Sequence, residues 1–203
     1  SKGDEAKAKI AHHLMQKNNY SHVVRVSGGG NAGHTIYKDG KKYVAHLIPV
    51  GAVNKIRSII GPGCVLNVNK FFQELKFLEE FGVENPQEYV KIAKNAHVVT
   101  DKHLEEEKNE SSIGTTKTGN GPAYRDKYAR LGIRAEQIPE LKPFLVDMFE
   151  EFYDSNEEKI DVLIEGAQGF GLDPDWGSYP YVTSSHCGIG AVLLNGFNHK
   201  QIR

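Results

Sequence analysis

Cysteine is scarce in this 203-residue sequence. Cys64 and Cys187 lie far apart with no Cys/His set at ligand spacing around them, which excludes a disulfide framework and a zinc-finger type of site. A reducing, cytoplasmic setting is the expectation that follows. Net charge is nearly absent too. Lys and Arg number 25 against 26 Asp and Glu, a formal charge of -1, so no global field draws the protein to nucleic acid or to an anionic membrane. Any phosphate site must therefore be local. Apolar runs such as residues 162–164 and 191–194 stop far short of the roughly 20 residues a membrane-spanning helix needs. The charged residues 1–9 carry no apolar segment of the kind a secretory signal needs. Internal repeats and low-complexity segments are missing as well.

What remains is ordinary globular material, 39% hydrophobic and 25% charged, enough for one α/β domain over residues 1–203 with a real core. The spacing of Ile10, Leu14 and Met15 predicts a helix over residues 5–17, stopped at Asn18-Asn19. Val23-Val24-Arg25-Val26 reads as a buried strand that delivers the glycine run 28–30. Asp39-Gly40 marks a hairpin turn between strands at 35–37 and 43–47. Residues 57–60 and 64–68 read as strands around the tight turn Gly61-Pro62-Gly63. Phe71, Phe72, Leu75 and Leu78 predict a helix over 69–81, ended by Gly82. Residues 90–99 are too mixed for an assignment, and 103–110 read as a solvated helix or loop. Leu141, Leu145, Met148, Phe149 and Phe152 predict one amphipathic helix, followed by a buried strand at 161–165. Strands alternating with helices indicate a central, mostly parallel sheet flanked by helices.

Polar chemistry concentrates in four places. Gly3-Asp4-Glu5-Ala6-Lys7-Ala8-Lys9 resembles a phosphate-binding loop at a helix start, where backbone amides cradle phosphates and lysine neutralises them; its other reading is a solvated helix end. Asn31-Ala32-Gly33-His34-Thr35 joins a close backbone approach to an imidazole and a hydroxyl, either as a functional loop or as the lead-in to the hairpin. Residues 111–124, SSIGTTKTGNGPAY, form a second loop whose amides and hydroxyls suit phosphate oxygens, or a polar surface loop. Glu165-Gly166-Ala167-Gln168-Gly169 follows a strand and so sits at the carboxyl edge of the sheet, where open parallel sheets bind ligands. Beyond it, Asp173 and Asp175 favour a turn over a metal site, because two carboxylates lack further oxygen ligands at set spacing.

In this order the motifs GDEAKAK, NAGHT, IGTTKTGNGPAY and EGAQG followed by YPYVTSS resemble the adenylosuccinate synthetase family, over residues 3–203. The resemblance implies a ligase that phosphorylates the 6-oxygen of inosine monophosphate (IMP) with a nucleoside triphosphate, GTP or ATP, and then lets the amine of L-aspartate displace that phosphate, with Mg2+ on the phosphate oxygens. It implies Asp4 as base for the purine N1 proton and as a magnesium ligand, with the Gly33 carbonyl as a second ligand. His34 would stabilise developing charge, and Lys7 would be the phosphate-loop lysine. Gly3, Glu5, Ala6, Lys7, Ala8, Lys9, Gly33, His34 and Thr35 would surround the nucleotide phosphates. Asn31, Thr116, Gln168 and Thr183 would bind the purine monophosphate, with Arg130 reaching it from the other subunit of a homodimer. Departures from the pattern are Ala6 and Ala8 where the family has glycine in GDEGKGK, Lys2 for a common tryptophan, and Lys117-Thr118 for a common Gly-Arg. The family's TKxD guanine-recognition segment and arginine-rich aspartate loop lie later in full-length members and do not occur here. With no strand ahead of Gly3, the domain is expected to be incomplete at both ends. Two rivals stay open: a phage-type ligase joining aspartate to dGMP with ATP, and a purine-phosphate-binding fragment without catalysis.

Overall fold

The computed structural model describes residues 3, 5–109, 114–153 and 160–202. The chain begins with helix α1 (Lys7–Lys17), strand β1 (His22–Arg25), and the hairpin strands β2 (His34–Lys38) and β3 (Lys41–Ala45). Next come β4 (Arg57–Ile60), β5 (Val65–Leu66), α2 (Val68–Phe81), α3 (Pro86–Tyr89), β6 (Val90–Ala93) and β7 (His97–Val98). Helices α4 (Asp101–Asn109) and α5 (Asn120–Ala129) lead to β8 (Leu145–Val146), α6 (Met148–Tyr153), β9 (Val162–Glu165) and α7 (Gly190–Leu194).

Five strands form one sheet in the order β8-β6-β4-β1-β9, parallel at every pairing. This is the mostly parallel α/β architecture that the alternation of elements predicts. Successive side chains on a strand face opposite ways, and both faces are covered. Val23 and Ile60 join the larger core with α1 and α2, whereas Val24 and Ile59 pack with Ala191 and Val192 of α7. Burial on both sides explains why β1 reads as a continuous buried run rather than an alternating one. Because β1 lies between β4 and β9, the turns after β1 and β9 emerge side by side at one edge.

Local chemistry accounts for most boundaries. Ala6 adopts the left-handed conformation (φ 57°), so α1 starts at Lys7 rather than at residue 5. Asp39 and Gly40 both have positive φ, as a two-residue hairpin turn that follows the strand twist requires. Asn67 caps α2 by accepting the Lys70 N–H at 3.0 Å, and Gly82 ends that helix at φ 107°. Glu74, buried on α2, accepts the N–H groups of His46, Leu47 and Ile48 at 2.9 to 3.0 Å, fixing the turn that leaves the hairpin. The undecided stretch 90–99 supplies β6 and β7. Among the described residues, no helix is long and apolar enough to cross a membrane.

One helix expectation is corrected. Leu141 to Phe152 is not one helix: Pro139–Phe144 is a 3-10 turn, β8 joins the sheet edge, and only Met148–Tyr153 is α-helical. Pro143 removes a backbone donor from that stretch and disfavours helix in the residue before it. The segment 103–110, read as a solvated helix or loop, is the helix: α4 is mostly exposed, with only His103 and Glu107 buried on one face; Glu110 lies outside the described residues.

Candidate functional site

The site grows from the turn after β1. A Cβ on Gly28, at φ +80°, would stand 2.5 Å from the Ala167 methyl, and one on Gly29 would stand 2.5 Å from the Val65 carbonyl oxygen. Only glycine allows this approach. Arg25, 1% exposed at the end of β1, donates to the carbonyls of Ser27 (3.4 Å), Gly29 (3.2 Å) and His46. A guanidinium has five N–H donors and no acceptor, so Arg25 ties the underside of the loop to the hairpin. From the other side, Tyr124 Oη accepts the Gly28 N–H at 2.9 Å and lies within donating distance of the Gly63 and Gly28 carbonyls, at 2.8 and 3.1 Å.

His34 opens β2 and Glu165 closes β9. The His34 Nδ1–H donates to Glu165 Oε1, and Glu165 Oε2 accepts the Val50 N–H at 2.9 Å. The two side chains are 3% and 1% exposed. Burial pushes the Glu165 carboxyl up, but the His34 hydrogen bond and charge, the Arg25 charge and the Val50 N–H outweigh it and hold the group below the usual carboxylate range. An ionised carboxylate only accepts, so Nδ1 carries a proton. Nε2 is left buried with no hydrogen-bond partner, and a buried polar atom in that state points to a ligand or a functional use.

Three residues of the implied monophosphate set converge beside this pair. Asn31 Oδ1 accepts from Gln168 Nε2 at 3.1 Å and from the Gly29 N–H at 3.2 Å, and Asn31 Nδ2 lies 3.5 Å from Thr183 Oγ1. They come from three separate segments: the turn after β1, the turn after β9, and the loop before α7. Thr116 and Arg130 are not joined to them. Thr116 is exposed and bonds Thr118 at 3.0 Å. Arg130 ends α5 in a left-handed conformation, φ 65°, exposed and without an ion pair among the described residues.

The amino-terminal loop runs beside the same edge, since a Cβ on Gly3 would lie 3.8 Å from Gly169 N. Glu5 accepts the Gly3 N–H at 3.1 Å, and Lys7 Nζ curls back to the Gly3 carbonyl at 3.3 Å. Lys9 is exposed, as is Ala6, whereas the Ala8 methyl is buried in the main core. Asp4 lies outside the described residues, as do Lys2 and residues 111–113. Thr35 pairs with Val44 in the hairpin, next to His34.

The second loop is shorter than its composition predicts, because Asn120–Ala129 is helix α5. Gly119 precedes it at φ +76°, where a Cβ would stand 2.6 Å from Val99. Buried Glu107 receives the Gly119 N–H at 2.6 Å. His103 Nδ1 accepts the Thr100 N–H at 3.1 Å, so its Nε2–H is the donor to Asp126 Oδ2, also at 3.1 Å. Together α4 and α5 brace the threonine-rich segment.

Asp173, Asp175 and His186 bring ligand-type atoms within 4.8 Å of one another. Asp173 is occupied as a turn former, however: Oδ1 accepts the Asp175 N–H at 3.0 Å and Oδ2 the Cys187 N–H at 2.7 Å. Magnesium takes hard oxygen donors, and the donors the resemblance implies for it, the Gly33 carbonyl and the Asp4 carboxylate, are of that class; Gly33 is exposed immediately before buried His34.

A family model described as adenylosuccinate synthetase matches residues 2–140 and 135–203. The chain belongs to the adenylosuccinate synthetase family. The adenylosuccinate synthetase of Lodderomyces elongisporus is 36% identical over 255 residues, covering 99% of this chain and 59% of the relative. That of Caldanaerobacter subterraneus is 37% identical, covering 95% and 56%. The chain thus spans somewhat under three fifths of the length of these relatives. Among solved structures, the fully ligated adenylosuccinate synthetase of Plasmodium falciparum superposes with a TM-score of 0.87 at 29% identity, covering all of this chain and 58% of that one. The cyanophage S-2L succinoaminodeoxyadenylate synthetase, bound to dGMP and dATP, gives 0.79 at 24% identity, covering 98% and 58%, a likeness of fold.

Within this adenylosuccinate synthetase fold, sequence reading missed three supports. Arg25 looked like one strand residue among valines, although a charge inside an apolar run is itself a signal of a buried partner. Tyr124 and Asn120 sat in a segment read as loop. Nothing local in the sequence marks either as a neighbour of Gly28 and Gly29.

Proposed function

We propose that the protein is a purine nucleotide ligase that couples L-aspartate to the 6-position of IMP with hydrolysis of a nucleoside triphosphate, GTP in this reading, giving adenylosuccinate. The observation that carries the reading is the meeting of Asn31 with Gln168 and Thr183, on the same two turns that lead to a histidine locked by Glu165, its Nε2 buried and unpartnered. Amides and a hydroxyl at the carboxyl edge of a parallel sheet suit a polar, phosphorylated ligand.

In this reading Asp4 takes the N1 proton, which raises electron density on the 6-oxygen. His34, held through Nδ1, presents Nε2. When Nε2 carries a proton it donates to the charge developing on the 6-oxygen or the transferred phosphoryl group, and Glu165 balances the imidazolium. Lys7, the amino-terminal loop and Thr35 serve the triphosphate in this reading. Asp4 and the Gly33 carbonyl would hold magnesium, which would supply neutralisation of phosphate charge when bound. Thr116 joins the monophosphate set when the threonine-rich segment meets the ligand. Arg130 serves the site of a second copy, which makes the working form a homodimer in a cytoplasmic setting. Residues 1–203 act as one α/β nucleotide-handling unit.

Phosphate release by the full-length protein, since residues 1–203 alone carry no base-reading segment or aspartate loop and are expected not to turn over, is measured with IMP, aspartate and GTP in parallel with dGMP, aspartate and ATP and tests the proposal. Aspartate-dependent release with the first set is expected. Release with the second set alone would replace it by the phage-type reading. Nucleotide binding without release from either set would leave a purine-phosphate-binding protein.

A further inference from the structure

We infer that Asn120 is a positioning residue of the monophosphate site, whose side-chain amide takes over the Gly29 N–H when a purine monophosphate engages Asn31. The inference rests on the ligase reading above.

Asn120 is the first residue of α5 and is 5% exposed. Its Oδ1 and Nδ2 are both buried, and neither has a hydrogen-bond partner. A primary amide brings two donors and an acceptor, and buried amides are nearly always paired. A side chain serving only the packing of a helix start would not need them. The position of this amide gives it a use, because it lies against Gly29: a Cβ there would be 2.8 Å from both Asn120 Nδ2 and Asn120 Oδ1.

The hydrogen bonds of Gly29 are those a ligand would disturb. Its N–H goes to Asn31 Oδ1 at 3.2 Å, an oxygen that also receives Gln168 Nε2 at 3.1 Å. A monophosphate that draws the Asn31 amide toward itself removes the acceptor from Gly29, and Asn120 Oδ1 is beside that residue to receive the N–H. Gln168 Oε1 is in the same state on the other flank, buried and unpartnered, 3.3 Å from where a Gly28 Cβ would be. The following residue, Gly121, places the start of α5 against the third segment of the site, since its Cβ would lie 3.4 Å from Ser184 Oγ. Asn120 thus touches the loop whose hydrogen bonds change, while the ligand contacts stay with Asn31, Gln168 and Thr183.

The decisive comparison is Asn120→Leu, which keeps the number of side-chain heavy atoms and removes both unpaired polar atoms, with Asn120→Ala as a second variant that adds no bulk. Melting temperature is measured without ligand, and affinity for IMP and for dGMP is measured by calorimetry. The expected result is that both variants fold without ligand and bind the preferred monophosphate about tenfold more weakly or worse. Turnover at saturating monophosphate should stay within about threefold, because no reacting atom is touched. Unchanged affinity in both variants overturns the inference and leaves Asn120 a residue of the fold alone. A ligand-free crystal structure in which the Asn120 amide is hydrogen-bonded, or a liganded one in which the Gly29 N–H stays on Asn31, also overturns it. If the wild type binds neither monophosphate, the ligase reading fails first and takes this inference with it.

Discussion

Glu165 receives the Nδ1–H of His34 across a sequence separation of 131 residues, with both side chains almost wholly buried. The same carboxylate holds the Val50 N–H, so the last residue of β9 fixes the imidazole and the chain beyond the hairpin together. The pair sets the first prediction.

In the full-length protein, removing the charge by Glu165→Gln should lower turnover about 100-fold or more, the scale of a lost acid-base group, as should His34→Ala and Asp4→Asn. Because Glu165 acts through His34, the double variant should be hardly slower than His34→Ala alone. Steady-state kinetics of the four proteins in that cycle measures this. Independent, multiplying losses would separate Glu165 from the mechanism.

Tyr124→Phe keeps the ring and deletes the oxygen that receives the Gly28 N–H at 2.9 Å and reaches the Gly63 carbonyl at 2.8 Å. The buried N–H is left unpaired, which should cost about 1–3 kcal/mol of stability. The freed glycine loop should also raise KM for the monophosphate more than it lowers kcat. Urea denaturation and kinetics read the two effects separately.

At the opposite edge of the sheet, Glu151 takes a hydrogen bond from His22 Nε2 at 3.0 Å and two from Arg57. Burial alone would raise its pKa, but those hydrogen bonds and charges outweigh it and hold the group at about 2, against an ordinary value of 4.5. A carboxyl whose folded pKa is depressed adds stability fully above its unfolded pKa and loses it as pH falls through the folded one. The melting temperature should therefore drop as pH falls from 4.5 toward 2. Glu151→Gln, unable to titrate, should show a shallower fall across that interval. Parallel slopes would remove Glu151 from acid denaturation.

Arg130 is exposed, and its side chain forms no ion pair among the described residues of its own chain. If it serves the site of a second copy, Arg130→Ala and His34→Ala should each be nearly inactive alone. Mixed and allowed to exchange subunits, they should recover about a quarter of wild-type activity, because one site in half of the dimers is then intact. No recovery in demonstrably mixed dimers would return Arg130 to the surface of its own subunit.

The sequence by itself determined the parallel α/β class, the hairpin at Asp39-Gly40, the helix closed by Gly82 and the four polar segments. Those signals are local: periodicity, β-branched runs, and turns that require positive φ are all written in neighbouring residues. Where a local rule was overlooked, as with Pro143 inside an apparently periodic stretch, the helix expected there broke into a 3-10 turn, a strand and a short helix. Only tertiary structure decided which polar residues meet. The order β4-β1-β9 brings the turns after β1 and β9 together, and with them Asn31 to Gln168 and His34 to Glu165. It also turned part of a presumed loop into α5, which sets Tyr124 and Asn120 against the glycines. Pairings across more than a hundred residues depend on strand order and on the space glycine leaves, and neither is encoded within any one segment.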